Sequence, residues 1–181
     1  MDFTIIGAGN MGRGIATRLL SGGNSVVIID RDNAEAQKLA EELRSAAKGN
    51  ASVSAAAMGS PINSEAIILA IYYSSVSAIL AQYGSQLAGK IIVDITNPLN
   101  ATYDDLATPP GSSAAEEIAK LAPAGAKVIK AFNTTLPLRL LRGKSQGNHW
   151  MCLLPGMMHR PKSACLKRSR LPVCARSIPG R

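Results

Sequence analysis

The chain has 181 residues, 46% of them apolar and 18% charged, which fits one globular unit with a sizeable core and excludes a disordered chain. Three cysteines, all beyond residue 150, exclude a disulfide framework, and the longest apolar run, residues 66–71, is far too short to span a bilayer. The net charge of +8 would raise a nucleic-acid partner, but residues 1–146 hold 13 Lys/Arg against all 12 Asp/Glu, while residues 147–181 hold seven Lys/Arg and no acid.

Residues 3–6 are a short apolar run ending at Gly7, which predicts a buried strand. Met1 leads almost directly into it, so no signal or transit peptide is expected and the expected location is cytoplasmic. Helical spacing follows from about Asn10 to Leu20, stopped by Gly22, Gly23 and Asn24. Residues 25–30 are a β-branched strand ending in Asp30. Asn33 is a candidate cap for a helix to about Lys48, and a weaker strand is expected near residues 51–54. The wholly apolar run 66–71 reads as a strand buried on both faces, followed by a helix over about 75–87. A further strand, 91–95, runs into Thr96, Asn97 and Pro98; a helix over about 114–121 and a last strand over 128–132 complete the pattern. Strands alternating with helices over short turns predict an α/β fold: a Rossmann-like, doubly wound, mainly parallel sheet with helices on both faces.

The tail beyond residue 146 lacks either periodicity, and Pro155, Pro161, Pro172 and Pro179 interrupt it. Stacking of unpaired bases needs aromatic platforms, and the tail offers only Trp150, so no nucleic-acid partner is expected. Its cysteines and histidines do not stand at ligand spacing, so no metal is expected. The chain divides into a dinucleotide-binding domain, residues 1–146, and a basic, irregular tail, residues 147–181.

Gly7-Ala8-Gly9-Asn10-Met11-Gly12 fits the pattern G-x-G-x-x-G, with a strand before it, a helix starting inside it, and Asp30 at the end of the next strand. Each glycine has its own task. Gly7 allows the tight turn, Gly9 lets backbone approach a pyrophosphate, and Gly12 lets the helix pack against the sheet. The amides at the helix start then face the phosphates. Asp30 suits the ribose diol of NAD, whereas Arg31 suits the 2′-phosphate of NADP. A carboxylate about 4 Å from that phosphate costs on the order of 4 kcal/mol per unit charge at an effective dielectric of 20, so the two residues pull in opposite directions.

Residues 1–146 contain no His and no Cys, and no catalytic acid or base is expected there. Tyr72, Tyr73, Thr96, Asn97, Asn133 and Thr134 fall at the carboxyl ends of the strands, where open parallel sheets bind ligands. A phenol is a poor acid near neutral pH, so packing against a cofactor is the expected role of the tyrosines. Such a set suits a reaction of juxtaposition rather than proton transfer.

These motifs resemble the NADP oxidoreductases that depend on coenzyme F-420, a deazaflavin, together with their ferric-reductase-domain relatives. The resemblance rests on the glycine loop, on Asp30-Arg31-Asp32, on residues 94–99 (Asp-Ile-Thr-Asn-Pro-Leu) and on residues 130–134 (Lys-Ala-Phe-Asn-Thr). It implies hydride transfer between NADP(H) and F-420 or a flavin, with small-molecule cofactors as the only partners and a homodimer where the family's C-terminal segment is present. It also implies that Ala8, Gly9, Asn10, Met11 and Arg31 hold NADP, that Tyr72 and Tyr73 border the nicotinamide half, and that Asn97, Pro98, Asn133 and Thr134 meet the second carrier. Asp30 stands where the family often has Ser, which leaves NAD open beside NADP.

After Thr134 the family continues into a strand and helices that are not legible here. From about residue 147 the chain reads as a frameshift or a truncation. Shifted codons over 150–159 permit an Asp-Val then Asp-Asp-Ala continuation, and over 173–181 Gly-Leu-Arg-Ala-Val-Asp-Pro-Gly-Pro, as in the family. Two other functions stay open: an imine reductase of the pyrroline-5-carboxylate type, which shares the glycine loop but tends to have Lys-Pro where this chain has Tyr72-Tyr73, and a non-catalytic or defective nucleotide-binding module.

Overall fold

The computed structural model describes residues 1–135, 137–142, 144–145, 148–149 and 177–178. Strand β1 (Asp2–Ile6) feeds helix α1 (Asn10–Ser21), then β2 (Ser25–Asp30), α2 (Asn33–Leu43), β3 (Val53–Ala57) and β4 (Ala66–Leu69). Helix α3 (Val76–Tyr83), β5 (Ile91–Asp94), α4 (Ala114–Leu121), β6 (Lys127–Lys130) and α5 (Pro137–Arg142) follow. Three two-residue strands come last: β7 (Lys144–Ser145), β8 (Asn148–His149) and β9 (Ser177–Ile178).

The main sheet runs β3-β2-β1-β4-β5-β6-β9. Its first six strands are mutually parallel, and only β9 is antiparallel, against β6. This is the expected doubly wound α/β sheet. Strand order reverses between β1 and β4, where the chain leaves one half of the sheet for the other, and sheets of this kind bind ligands at the carboxyl ends of the strands at such a point.

The alternation of strand side chains builds two cores, one per face. Ile5 and Ile68 join Ile15, Leu19, Leu39 and Leu43 of α1 and α2 on one face. Ile6, Ile67 and Leu69 join Val76, Leu80 and Ile118 of α3 and α4 on the other. Each fully buried aliphatic chain contributes roughly 1.5–3 kcal/mol. Both faces of β4 are buried, and its four residues Ala-Ile-Ile-Leu are accordingly apolar throughout.

Several boundaries differ from the expectation. The cap of α2 is Asp32, not Asn33: its carboxylate accepts the Ala34 N–H at 2.9 Å, which makes Asn33 the first helical residue. That helix stops at Leu43 and tightens into a single 3-10 turn over Arg44–Ala46. Strand β3 lies slightly later than expected, because pairing with β2 aligns Val53 with Val26 and carries the ladder through an alanine run of low β-propensity. The helix expected over 75–87 has α-geometry only for Val76–Tyr83, with 3-10 turns on either side.

Helix α5 has no counterpart in the sequence expectation. Pro137 occupies its first position, where a missing N–H is harmless, and Leu140 is buried in the α1 face of the core. Apart from β8 and β9, the tail 147–181 and the frameshift reading placed on it lie outside the described residues.

Candidate functional site

The glycine loop closes on β4. Gly7 adopts φ +115° and donates its N–H to the Ile29 carbonyl at 2.7 Å. A Cβ on Gly7 would lie 2.2 Å from the Ala70 carbonyl oxygen, so the loop is pressed against the end of β4 and tolerates no side chain there. On Gly12 a Cβ would lie 2.0 Å from the Gly7 oxygen, which is the close approach of helix to strand expected of this position. Gly9 differs: a Cβ there would meet nothing within 4 Å. The space over Gly9 is open, so internal packing does not require its missing side chain.

Gly9 is also the N-cap of α1, and no side chain caps that helix or places an acid in its first turn. By contrast, α2 is capped by Asp32 and α4 carries a full capping box between Ser113 and Glu116. The first amides of a helix have no partner inside it, so the start of α1 offers donors and a partial positive charge to an anion.

Asp30 is bound into the same loop. Its carboxylate accepts the Ala8 N–H at 2.7 Å and the Asp32 N–H at 3.0 Å. Both oxygens thus already hold backbone donors, and the carboxylate fixes the glycine loop to the end of β2. Arg31 beside it is exposed.

Across the switch point, Tyr72 is 78% exposed, while Tyr73 is half-buried at the start of a 3-10 turn. The Tyr73 phenol is pushed above its ordinary value, first by burial, then by the carboxylates of Glu117 and Asp94, with Lys120 opposing. It holds its proton more firmly than a free tyrosine, which makes it a weaker acid still. Packing remains the chemistry open to it.

Beyond β5 and β6 the loops meet. Asn97 donates its side-chain amide to the Asn133 carbonyl at 3.4 Å. Asn97 and Thr134 are exposed, and Pro98 and Asn133 are partly so. Between β6 and Asn133, Phe132 adopts φ +61°, a left-handed conformation that costs a side-chain-bearing residue roughly 1–2 kcal/mol.

Two groups escaped the sequence reading as a unit. Asp94, wholly buried, pairs with Lys130 at 2.7 Å. Lys130 keeps part of its surface in solvent, so the loss that matters is that of the lysine, which leaves the buried Asp94 carboxylate without its counter-charge. Each residue ends its own strand, although the sequence patterns run both strands one or two residues further, to 95 and 132, and nothing in their spacing announces a pair. Among the described residues no cluster of His, Cys, Asp and Glu forms a metal site, and no helix is long and apolar enough to cross a membrane.

The family model described as "NADP oxidoreductase coenzyme F-420-dependent" matches residues 2–98, more than half of the chain. The chain belongs to that family. This member of the family is 34% identical over 144 residues to the metalloreductase STEAP3 of Rattus norvegicus. The match covers 80% of this chain and 27% of that protein, so the chain spans about a quarter of the curated relative's length. Among solved structures it is similar to a hypothetical protein from Sinorhizobium meliloti, with 28% identity, a TM-score of 0.68, and 81% of this chain and 68% of that one covered. A protein described as an F-420-dependent NADP reductase from Arthrobacter sp. FB24 gives 28% identity and a TM-score of 0.64, with 76% of this chain and 64% of that one covered. A reductive aminase from Aspergillus terreus, in complex with NADPH4, cyclohexanone and allyl amine, gives 25% identity and a TM-score of 0.56, with 76% and 43% covered. The candidate residues lie at the carboxyl ends of β1, β2, β4, β5 and β6, the edge at which such sheets hold ligands.

Proposed function

We propose that residues 1–146 bind NADP(H) and transfer hydride between its nicotinamide and a second carrier, F-420 or a flavin. The observation that carries this reading is the open, uncapped start of α1 over Gly9, flanked by two glycines that leave no room for a Cβ. That donor set fits a pyrophosphate: amides without helical partners, a positive dipole end, and no acid to repel the ligand. In this reading Ala8, Gly9, Asn10, Met11 and Gly12 cradle the diphosphate. Asp30 keeps the loop in shape through its two backbone bonds, and the exposed guanidinium of Arg31 pairs with the 2′-phosphate, which favours NADP over NAD.

When bound, the nicotinamide supplies or accepts the hydride. Tyr72 and Tyr73 give it an apolar wall and exclude water, while Asn97, Pro98, Asn133 and Thr134 hold the second carrier against it. With the hydride carried from ring to ring, the reduced carrier would take its ring-nitrogen proton from water and none need come from the protein, so positioning supplies most of the rate. The raised proton affinity of Tyr73 accords with this division of labour.

The test is to mix the full chain with NADPH and either F-420 or flavin mononucleotide and to follow the reduced nicotinamide band. Steady oxidation supports the reading; binding of NADPH with no turnover of either carrier leaves only a nucleotide-binding module. The likeness to the reductive aminase favours a second reading, reduction of an imine. That reaction needs a proton at nitrogen, which none of the proposed site residues is well suited to give. Turnover with pyrroline carboxylate would establish it instead.

A further inference from the structure

Strands β5 and β6 end side by side, and their register sets Asp94 directly against Lys130. A carboxylate with no exposed surface needs a counter-charge and donors, and Asp94 has both. Lys130 Nζ donates to Oδ2 at 2.7 Å, and the Thr96 N–H donates to Oδ1 at 2.8 Å. Lys130 also donates to the Thr96 carbonyl, and the Ala131 N–H donates to the Asp94 carbonyl at 3.0 Å. These bonds tie the chain just after β5 to the chain just after β6. One residue beyond the first anchor stands Asn97, and two beyond the second stands Asn133.

Two further observations point to the same place. Phe132, between the anchor and Asn133, holds the left-handed conformation, which persists in a bulky residue only where its surroundings over-determine it. Thr96 is 3% exposed, and its hydroxyl has no hydrogen-bond partner among the described residues. A pair that served the core alone would not need to end in loop backbone. The side-chain bonds of this one close on Thr96, at the head of the Asn97 loop, from Lys130, the residue that leads into the Asn133 loop.

We infer that Asp94 and Lys130 are positioning residues: their ion pair sets the spacing of the Asn97 and Asn133 loops and so governs affinity for the second hydride carrier, without acting on the dinucleotide at the glycine loop. The inference rests on the reading that these loops border that carrier.

The experiment compares the full chain with Lys130→Arg, with Lys130→Met, and with the double variant Asp94→Asn/Lys130→Met, which leaves no lone charge in the core. Three quantities are read: NADPH affinity by fluorescence, KM and kcat for F-420 or flavin mononucleotide, and amide hydrogen exchange at Thr96 and Ala131. The double variant is expected to keep NADPH affinity within about twofold of wild type while KM for the carrier rises about tenfold and kcat changes less. Exchange at both amides should speed up, and Lys130→Arg should recover most of the KM effect. A carrier KM within about twofold of wild type in the double variant overturns the inference, as does a loss of NADPH affinity in step with carrier affinity. If the wild-type chain binds NADPH but reduces neither carrier, the hydride-transfer reading falls by itself. Exchange then decides the anchoring, and unchanged rates at Thr96 and Ala131 in the double variant overturn that too.

Discussion

Gly9 and Gly12 stand three residues apart and answer opposite demands. At Gly12 a Cβ would meet the Gly7 carbonyl, a backbone group that cannot turn aside. Gly12→Ala is therefore expected to destabilise the fold by roughly 1–3 kcal/mol, seen as a lower melting temperature. Gly9 has φ −69° and open space above it, so Gly9→Ala should melt as wild type does. Its methyl group would stand where a diphosphate approaches, and NADPH affinity should fall about tenfold or more by fluorescence titration. Unchanged affinity in Gly9→Ala would contradict the placement of the phosphates. Arg31→Ala should cost NADPH about tenfold in affinity and leave NADH within about twofold, since only the 2′-phosphate gives that guanidinium a charged partner. The glycines were legible in sequence because their spacing is a local pattern set between a strand and a helix, although the close neighbour of Gly7, Ala70, lies far along the chain. The use made of Asp30 was not, because it depends on the loop folding back to bring the Ala8 amide within 2.7 Å.

At the scale of elements, local chemistry and tertiary contact divide the credit. Helix α4 is where the sequence reading expected it, because its start is written locally: Ser113 accepts the Glu116 N–H and Glu116 accepts the Ser113 N–H. Those bonds hold the Glu116 carboxyl below its ordinary value, the Ser113 backbone contributing most, then its hydroxyl, with burial opposing. A carboxyl depressed in the folded state stabilises above its unfolded value and loses that stabilisation as pH falls through the folded one. Melting temperature should therefore drop as pH is lowered past the ordinary glutamate range, and Glu116→Gln should flatten part of that drop. An equally steep fall in Glu116→Gln would show that the cap does not carry the acid sensitivity. Helix α5 was not legible, for the opposite reason. Its six residues carry too little periodicity to announce a helix, and what holds it is distant: a Cβ on Gly14 of α1 would come within 2.9 Å of the Leu140 Cβ. Strand β3 shifted for a similar cause, its register being set by β2 rather than by its own alanines.

On the whole molecule, the alternation of strands with helices foretold an open parallel sheet, but not which strands would become neighbours. Only the strand order puts the glycine loop against the end of β4 and sets β5 beside β6. For that reason the Asp94–Lys130 pair, 36 residues apart in sequence, had no signature that single-strand patterns could reveal. The basic charge is likewise a matter of place: the +8 net charge is almost wholly that of residues 147–181, and residues 1–146 are close to neutral. The proposed dinucleotide binding therefore falls to the near-neutral part. The direct test is a calorimetric titration of the full chain with NADPH and, separately, NADH. Nucleotide binding at the glycine loop predicts one site per chain, with NADPH held about tenfold more tightly because its extra phosphate meets Arg31. No heat with either nucleotide would contradict it, whatever the sheet resembles.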